Sequence, residues 1–279
     1  MGGTGFVGAH LARYLRACGD EVGRPGREAL LNADLGHVVY AIGLTADFRS
    51  RPYETIEAHV GRLSRLLERA RFESLLYLSS TRVYARSPVG GENAALAVDP
   101  RDPDDLYTLS KLTGESLCLG YDLPSVRIAR LSNVFGPPAD GAGMHAQSLI
   151  AGLMRAAVVE GHIRLHSAPG SSKDYVSVDE VARALRRIAL HGRYRLYNVA
   201  AGANVSNREI VKQLVATTGC TVEFADGAPT LVFPEIRTER IRAEFSLPER
   251  PWIPASVLAW VGAMLDASRR APALVGEGT

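Results

Sequence analysis

Val7, Leu11, Leu15 and Cys18 recur at helical intervals, so residues 5–18 read as an amphipathic helix that begins after a short run of glycines. Two unbroken apolar runs follow, 37–44 (HVVYAIGL) and 74–81 (SLLYLSST). Runs of this length without polar alternation are the pattern of parallel strands covered on both faces. Between them Ile56, Val60, Leu63 and Leu67 mark one face of a helix, and a further helix is predicted over about 104–121. Residues 125–136 (SVRIARLSNVFG) read as another buried strand. Strands and helices alternating in this way imply a doubly wound parallel sheet.

Beyond Gly136 the pattern loosens. A glycine- and proline-rich loop leads into a predicted helix, MHAQSLIAGLMRAAVV. The strand-like pieces IRLHSAP, DYVSV and RLYNVA are separated by turns and by a helix over 178–190. NREIVKQLVATTG and ASVLAWVGAMLDASR are amphipathic helices. This half reads as a smaller α/β lobe, with about 174–200 returning to the first sheet, and a substrate is expected in the cleft between the two.

Composition narrows the function classes. The chain of 279 residues is 46% hydrophobic and 22% charged, ordinary for a globular protein with a sizeable core. A net charge of +2 gives no reason to expect nucleic acid or an anionic membrane as partner. No apolar run reaches the roughly 18–20 residues that span a bilayer, and the N-terminus lacks a signal-peptide pattern. Cys18, Cys118 and Cys220 are too few and too far apart for a disulfide framework or a zinc site, so no metal is expected. A reducing cytoplasm is the expected compartment, and each cysteine is read as a buried structural thiol.

Four short stretches carry chemistry. Gly2-x-x-Gly5-x-x-Gly8 stands at a helix N-terminus, where free N–H groups and the helix dipole favour a phosphate. In YTLSK, Tyr107 and Lys111 fall one turn apart on a helix face. An ammonium there, with a cationic nicotinamide, would favour the phenolate of a tyrosine whose ordinary pKa is about 10. Ten tyrosines and three lysines give only about 0.1 such match by chance, so the pair is informative. LSSTRVY clusters hydroxyls at the C-terminal end of a predicted central strand, the edge at which open α/β sheets bind ligands. SSKDYVSVDEV sets a cation before a strand that runs into a helix near Asp179.

Taken in order, GGTGFVG, SSTRVY, YTLSKLTGE, LSNVFGP, KDYVSVDEVARAL and YNVAAGANVS resemble the extended short-chain dehydrogenase/reductase family, in its NAD(P)-dependent nucleotide-sugar epimerase/dehydratase branch. The resemblance implies a Rossmann-like, doubly wound parallel sheet with a smaller C-terminal α/β substrate lobe. The dinucleotide-binding domain is expected over 1–136 plus about 174–200, and the substrate-binding lobe over 137–173 and 201–279. It implies Ser80, Tyr107 and Lys111 as the catalytic set, with Ser80 and Thr81 beside the substrate. Asn133 and Lys173 match positions that contact the diphosphate of a nucleotide sugar. The cofactor site implied comprises Gly2, Gly5, Phe6, Val7, Gly8, Ile42, Gly43, Tyr107 and Lys111. A homodimer is the expected assembly.

Departures from the family pattern refine this. Dehydratases carry an Asp-Glu pair after the catalytic hydroxyl, because elimination of water needs its own acid and base. Here those positions are Thr81 and Arg82. Hydride chemistry without elimination is therefore expected, either carbonyl reduction or 4-epimerisation. The acidic residue expected to hold a ribose 2′-OH is missing, and Arg24 and Arg27 stand nearby, suited to a 2′-phosphate. This favours NADP over NAD, and with it a reductase over an epimerase that keeps its cofactor bound. A nucleotide-binding protein without turnover is the reading of another class. His59 stands where an asparagine is usual. Of the arginine that often clamps the second phosphate there is no clear counterpart, with Arg237, Arg240 and Arg242 nearest. The family's first strand is absent before Gly2, and the reading expects either a chain that begins upstream or a sheet that closes without that strand.

Overall fold

The computed structural model describes residues 1–24, 34–45, 47–137 and 148–247. Arg27, the loop after Pro137 and the helix expected at ASVLAWVGAMLDASR lie outside the described residues. In chain order the elements are α1 (Phe6–Ala17), β1 (Asp34–Tyr40), α2 (Pro52–Ile56), α3 (Arg62–Arg69), β2 (Arg71–Ser80) and α4 (Leu106–Gly120). There follow β3 (Val126–Leu131), β4 (Asn133–Phe135), α5 (Leu149–Arg155), β5 (His162–Leu165), β6 (Ser172–Ser177) and α6 (Val178–His191). The last are β7 (Leu196–Val199), β8 (Asn204–Ser206), α7 (Asn207–Thr218), β9 (Thr221–Phe224) and α8 (Glu239–Phe245). A π-helical turn, Glu57–Gly61, joins α2 to α3, and a 3₁₀ turn, Thr81–Tyr84, follows β2.

The described residues form two compact units, the first comprising Met1–Val134, Lys173–Asn204 and the stretch from Phe233. Its centre is a four-stranded, all-parallel sheet of order β1-β2-β3-β7. Along each buried strand the pleat sends alternate side chains to opposite faces. Leu76, Leu78, Ala129 and Leu131 pack with Leu11 of α1 and Val181, Leu185 and Ile188 of α6. Leu75, Tyr77, Val126 and Ile128 pack on the other face with Leu63, Leu66 and Leu67 of α3 and Cys118 of α4. Helices thus cover both faces, as the continuous apolar runs require. Arg186 of α6 closes on Asp20 through two hydrogen bonds of 2.6 and 2.9 Å, tying the end of α1 to this layer.

Several local details differ from the sequence reading. The run 125–136 is two strands rather than one, with Ser132 between them donating its N–H to the Val199 carbonyl at 3.0 Å and its hydroxyl to the Asp174 carbonyl at 2.7 Å. The helix expected over 178–190 spans Val178–His191, with Ser177 as its N-cap accepting from the Glu180 N–H at 3.3 Å. Cys18 is exposed rather than buried, since it falls one residue past α1, whereas Cys118 and Cys220 are buried. Residues 239–245, read with the substrate lobe, form α8, whose Ile241 packs into the core of the first unit beside Tyr197. At the edge of the sheet Met1 takes up part of the work of a strand. Its N–H group donates to the Val39 carbonyl at 2.7 Å, and its carbonyl accepts from the Ala41 N–H at 3.0 Å.

The second unit holds Phe135–Ser172 and Val205–Val232. Within it β5 and β9 pair in parallel, and α7 begins with a capping box between Ser206 and Glu209 and ends at Gly219 in the left-handed conformation. No described helix is long and apolar enough to cross a membrane.

Candidate active site

The glycine loop is tightly wound. Gly2 has a φ of 73°, and a Cβ there would lie 2.6 Å from the Ala41 carbonyl oxygen. A Cβ on Gly8 would overlap the Gly2 carbonyl oxygen. Both positions therefore exclude any side chain. Gly5 caps α1, its N–H bonded to the Gly2 carbonyl at 3.1 Å, with no side-chain cap and no acidic residue in the first turn. The N–H groups of Phe6, Val7 and Gly8 are thus left for an external acceptor at the positive end of the helix. The stem of Arg24 crosses the loop, with its Cγ 3.2 Å from where a Cβ on Gly3 would stand. A dinucleotide pyrophosphate fits this cradle, and Arg24 lies at its rim.

Ile42 is half-buried behind the loop, and Gly43 is exposed. A Cβ on Gly43 would come within 3.1 Å of His59 Nε2 and 3.5 Å of Lys111 Nζ. The absence of a side chain there opens a way to the lysine from the glycine-loop side.

Ser80 ends β2, and its Oγ accepts from the Arg82 N–H at 3.2 Å, so Thr81 and Arg82 open the 3₁₀ turn beside it. Tyr107 and Lys111 project from the same face of α4, with Lys111 Nζ 5.9 Å from the Tyr107 ring centroid. Both are buried, and Lys111 donates to the Leu78 carbonyl at 2.9 Å. Burial raises the Tyr107 pKa above its ordinary value, while hydrogen bonds with Ser80 and Thr45 and the charge of Arg82 pull it back down. Burial lowers Lys111 to about 7, against a raising influence from Glu115. The structure therefore brings Ser80, Tyr107 and Lys111 together at the C-terminal end of a central strand.

Phe48, in a loop that gave no sequence signal, is buried against Tyr107 with ring centroids 5.6 Å apart. His59 meets the same tyrosine edge-on at 5.3 Å. Its Nε2 accepts from the Leu44 N–H at 3.2 Å, which leaves the proton on Nδ1 to be donated to Ser110 Oγ at 2.7 Å. Ser110 in turn donates to the Tyr107 carbonyl at 2.8 Å. Burial, and after it the charge of Lys111, lower His59 to about 2, so the ring stays neutral. Its service is to fix the loop at Leu44 to the helix that carries the phenol.

Behind Lys111 lies a buried polar network. Arg130 of β3 forms a two-point ion pair with Glu115, at 2.9 and 2.5 Å, and both side chains are about 5% exposed or less. Ser79 donates to the same carboxylate at 2.5 Å. Arg130 also donates to the Tyr84 hydroxyl at 2.7 Å, which donates to Asn198 Oδ1 at 2.9 Å. Glu115 lies one turn beyond Lys111, so the lysine is backed by an anion.

Asn133 is exposed, and its Nδ2 donates to the Asp174 carbonyl at 2.8 Å, next to Lys173. Lys173 Nζ lies 5.1 Å from the Phe233 ring centroid. The Asp174 carboxylate, buried, accepts from the N–H groups of Ala201, Gly202 and Ala203 at 3.1, 2.7 and 3.1 Å. This carboxylate clamps the 201–203 turn and fixes the backbone that presents Lys173, a role the sequence did not disclose.

The sequence model of the family described as NAD dependent epimerase/dehydratase matches residues 1–200. GDP-6-deoxy-D-mannose reductase of Pseudomonas aeruginosa is 30% identical over 245 residues, 76% of each chain. dTDP-glucose 4,6-dehydratase of Streptomyces griseus is 28% identical over 136 residues, which is 46% of this chain and 40% of that enzyme. Among solved structures, RMD from Pseudomonas aeruginosa complexed with NADPH shares the fold at a TM-score of 0.75 and 24% identity, covering 96% of this chain and 98% of that one.

Proposed function

Since the chain belongs to the NAD dependent epimerase/dehydratase family, NAD(P)-dependent enzymes of the short-chain dehydrogenase type, we propose that it reduces the carbonyl of a nucleotide-linked sugar with NADPH. The observation that carries this reading is the assembly of Ser80, Tyr107 and Lys111 at the C-terminal end of β2. A bound reduced nicotinamide supplies the hydride to the carbonyl carbon. Ser80 holds the carbonyl oxygen by its hydroxyl, and Tyr107 gives that oxygen its proton. In its protonated form Lys111 favours the phenolate that Tyr107 becomes, and the Leu78 carbonyl holds the amine in place.

Neither Thr81 nor Arg82 carries a carboxyl group, so the site lacks the acid–base pair that elimination of water requires. Arg24 across the glycine loop supports NADP, whose 2′-phosphate suits a guanidinium. An enzyme drawing on a diffusible reduced cofactor is a reductase. Asn133 and Lys173 would take the diphosphate. As a single ammonium, Lys173 would hold it by charge rather than by a two-point fork.

The test is Tyr107→Phe, with turnover followed through NADPH oxidation and cofactor binding through nicotinamide fluorescence. Turnover is expected to fall by a factor of about 10² to 10⁴ with NADPH affinity retained. Unchanged turnover overturns the mechanism. Reduced nicotinamide remaining with the purified protein through dialysis would instead favour an epimerase with retained cofactor.

A further inference from the structure

Arg82 is half-buried, two residues beyond Ser80, and its guanidinium carbon lies 5.3 Å over the Tyr107 ring and 4.8 Å over the Phe48 ring. The two ring centroids are 5.6 Å apart, so both rings lie to one side of the guanidinium, and N–H donors on its other side are left for another partner. Among the described residues no carboxylate forms an ion pair with Arg82. Asp104, whose carboxyl is held low first by Arg49 and least by Arg82, is already bonded by two N–H groups of Arg49. Lys173, the other cation of the site, also has no carboxylate within ion-pair distance among the described residues. Burial and the charge of Arg82 both push its ammonium toward the neutral form. Two cations without an acid partner among the described residues suit anionic groups from outside the chain.

We propose that Arg82 reads a carboxylate carried by the sugar itself, so that the substrate is the keto form of a nucleotide-linked uronic acid and the uronic acid is its reduced product. This rests on the nucleotide-sugar reading above, in which Asn133 and Lys173 meet the diphosphate. Arg82 lies against the ring that delivers the proton, beside the reacting carbon rather than on the strand that carries Asn133. A guanidinium placed there would meet the substituents of the carbons beside the reacting one. A carboxylate matches the donor fork in plane and charge, and neutral hydroxymethyl groups do not.

The experiment uses the full chain loaded with NADP and compares UDP-glucuronic acid with UDP-glucose by titration calorimetry, for wild type, Arg82→Gln and Arg82→Lys. Wild type is expected to bind the uronate about tenfold or more tightly than the neutral sugar, the worth of one good charge-assisted contact. Arg82→Gln should bring that ratio close to one, and Arg82→Lys should restore part of it. A wild-type ratio near one overturns the proposal. So does a ratio that survives Arg82→Gln; equal weakening of both ligands would assign Arg82 to the diphosphate or to the acidity of Tyr107. If wild type binds NADP but neither nucleotide sugar, the nucleotide-sugar reading fails and this inference falls with it.

Discussion

Lys111 has the clearest signature of any single residue. Free lysine titrates near 10.5, and burial brings Lys111 to about 7. Between those values the unfolded chain holds a proton that the folded chain has given up, so this group makes unfolding harder as pH rises from 7. One such proton is worth up to about 1.4 kcal/mol per pH unit. Urea unfolding of wild type and Lys111→Met at pH 7, 8 and 9 isolates it, because raised tyrosines and cysteines act equally on both proteins. The stability of wild type relative to the variant should climb across that range; a flat difference would mean that the amine is not desolvated. His59 makes a complementary case. Burial keeps its ring neutral, and its two hydrogen bonds give it a structural task that can be tested. His59→Leu leaves the Leu44 N–H and the Ser110 hydroxyl without their partner, at a cost of about 1–3 kcal/mol for each that stays dry. His59→Asn, which keeps an acceptor and a donor, should recover part of that in the same unfolding assay.

At the scale of elements, the pair Glu115–Arg130 joins α4 to β3 and sets the helix of Tyr107 and Lys111 against the sheet. Glu115→Gln would leave a buried guanidinium without its anion, a change that costs about 3–5 kcal/mol in buried pairs. Glu115→Leu combined with Arg130→Met removes both charges and should cost less than the single change, as chemical denaturation would reveal. A double variant less stable than Glu115→Gln would mean that the network, not the lone charge, is what matters. This pair also marks the limit of what the chain discloses in one dimension. Tyr107 and Lys111 were legible because a helix turns a spacing of four into a shared face. Ser80 was legible because a buried strand must end where its apolar run ends. The glycine loop could be read because a close backbone approach tolerates no other residue at Gly2 and Gly8. Arg130, by contrast, sits inside an apolar run as an anomaly whose partner is on another element, and no local spacing connects them. Phe48 and the Asp174 clamp on 201–203 escaped notice for the same reason, since each acts through contacts made only when distant segments meet. The break at Ser132 and the helix α8 were missed because a side chain bonding to a remote carbonyl, and an apolar face of two or three residues, leave no periodic trace.

At the scale of the molecule, the groups that would hold a dinucleotide come from residues 2–8, 24, 42–43 and 107–111, all within the first unit. A ligand that needs all of them binds only the folded state and stabilises it by RT ln(1 + [L]/Kd), about 2.7 kcal/mol at one hundred times Kd. Thermal unfolding can therefore weigh the two cofactors without any knowledge of the substrate. If Arg24 meets a 2′-phosphate, NADP should raise the melting temperature more than NAD at equal concentration. Arg24→Ala should then remove the excess while leaving the NAD shift in place. The chain holds 29 arginines against 3 lysines, so an arginine near the loop is weak evidence by itself and a matched control is needed. Arg16 serves, since it lies at the far end of α1 and donates to the Val22 carbonyl at 3.2 Å. Arg16→Ala should lower the melting temperatures with NADP and with NAD alike, if it lowers them at all. A larger shift with NAD in the wild type, or an NADP excess that survives Arg24→Ala, would return the protein to an NAD enzyme and remove the main physical reason for preferring reduction over epimerisation.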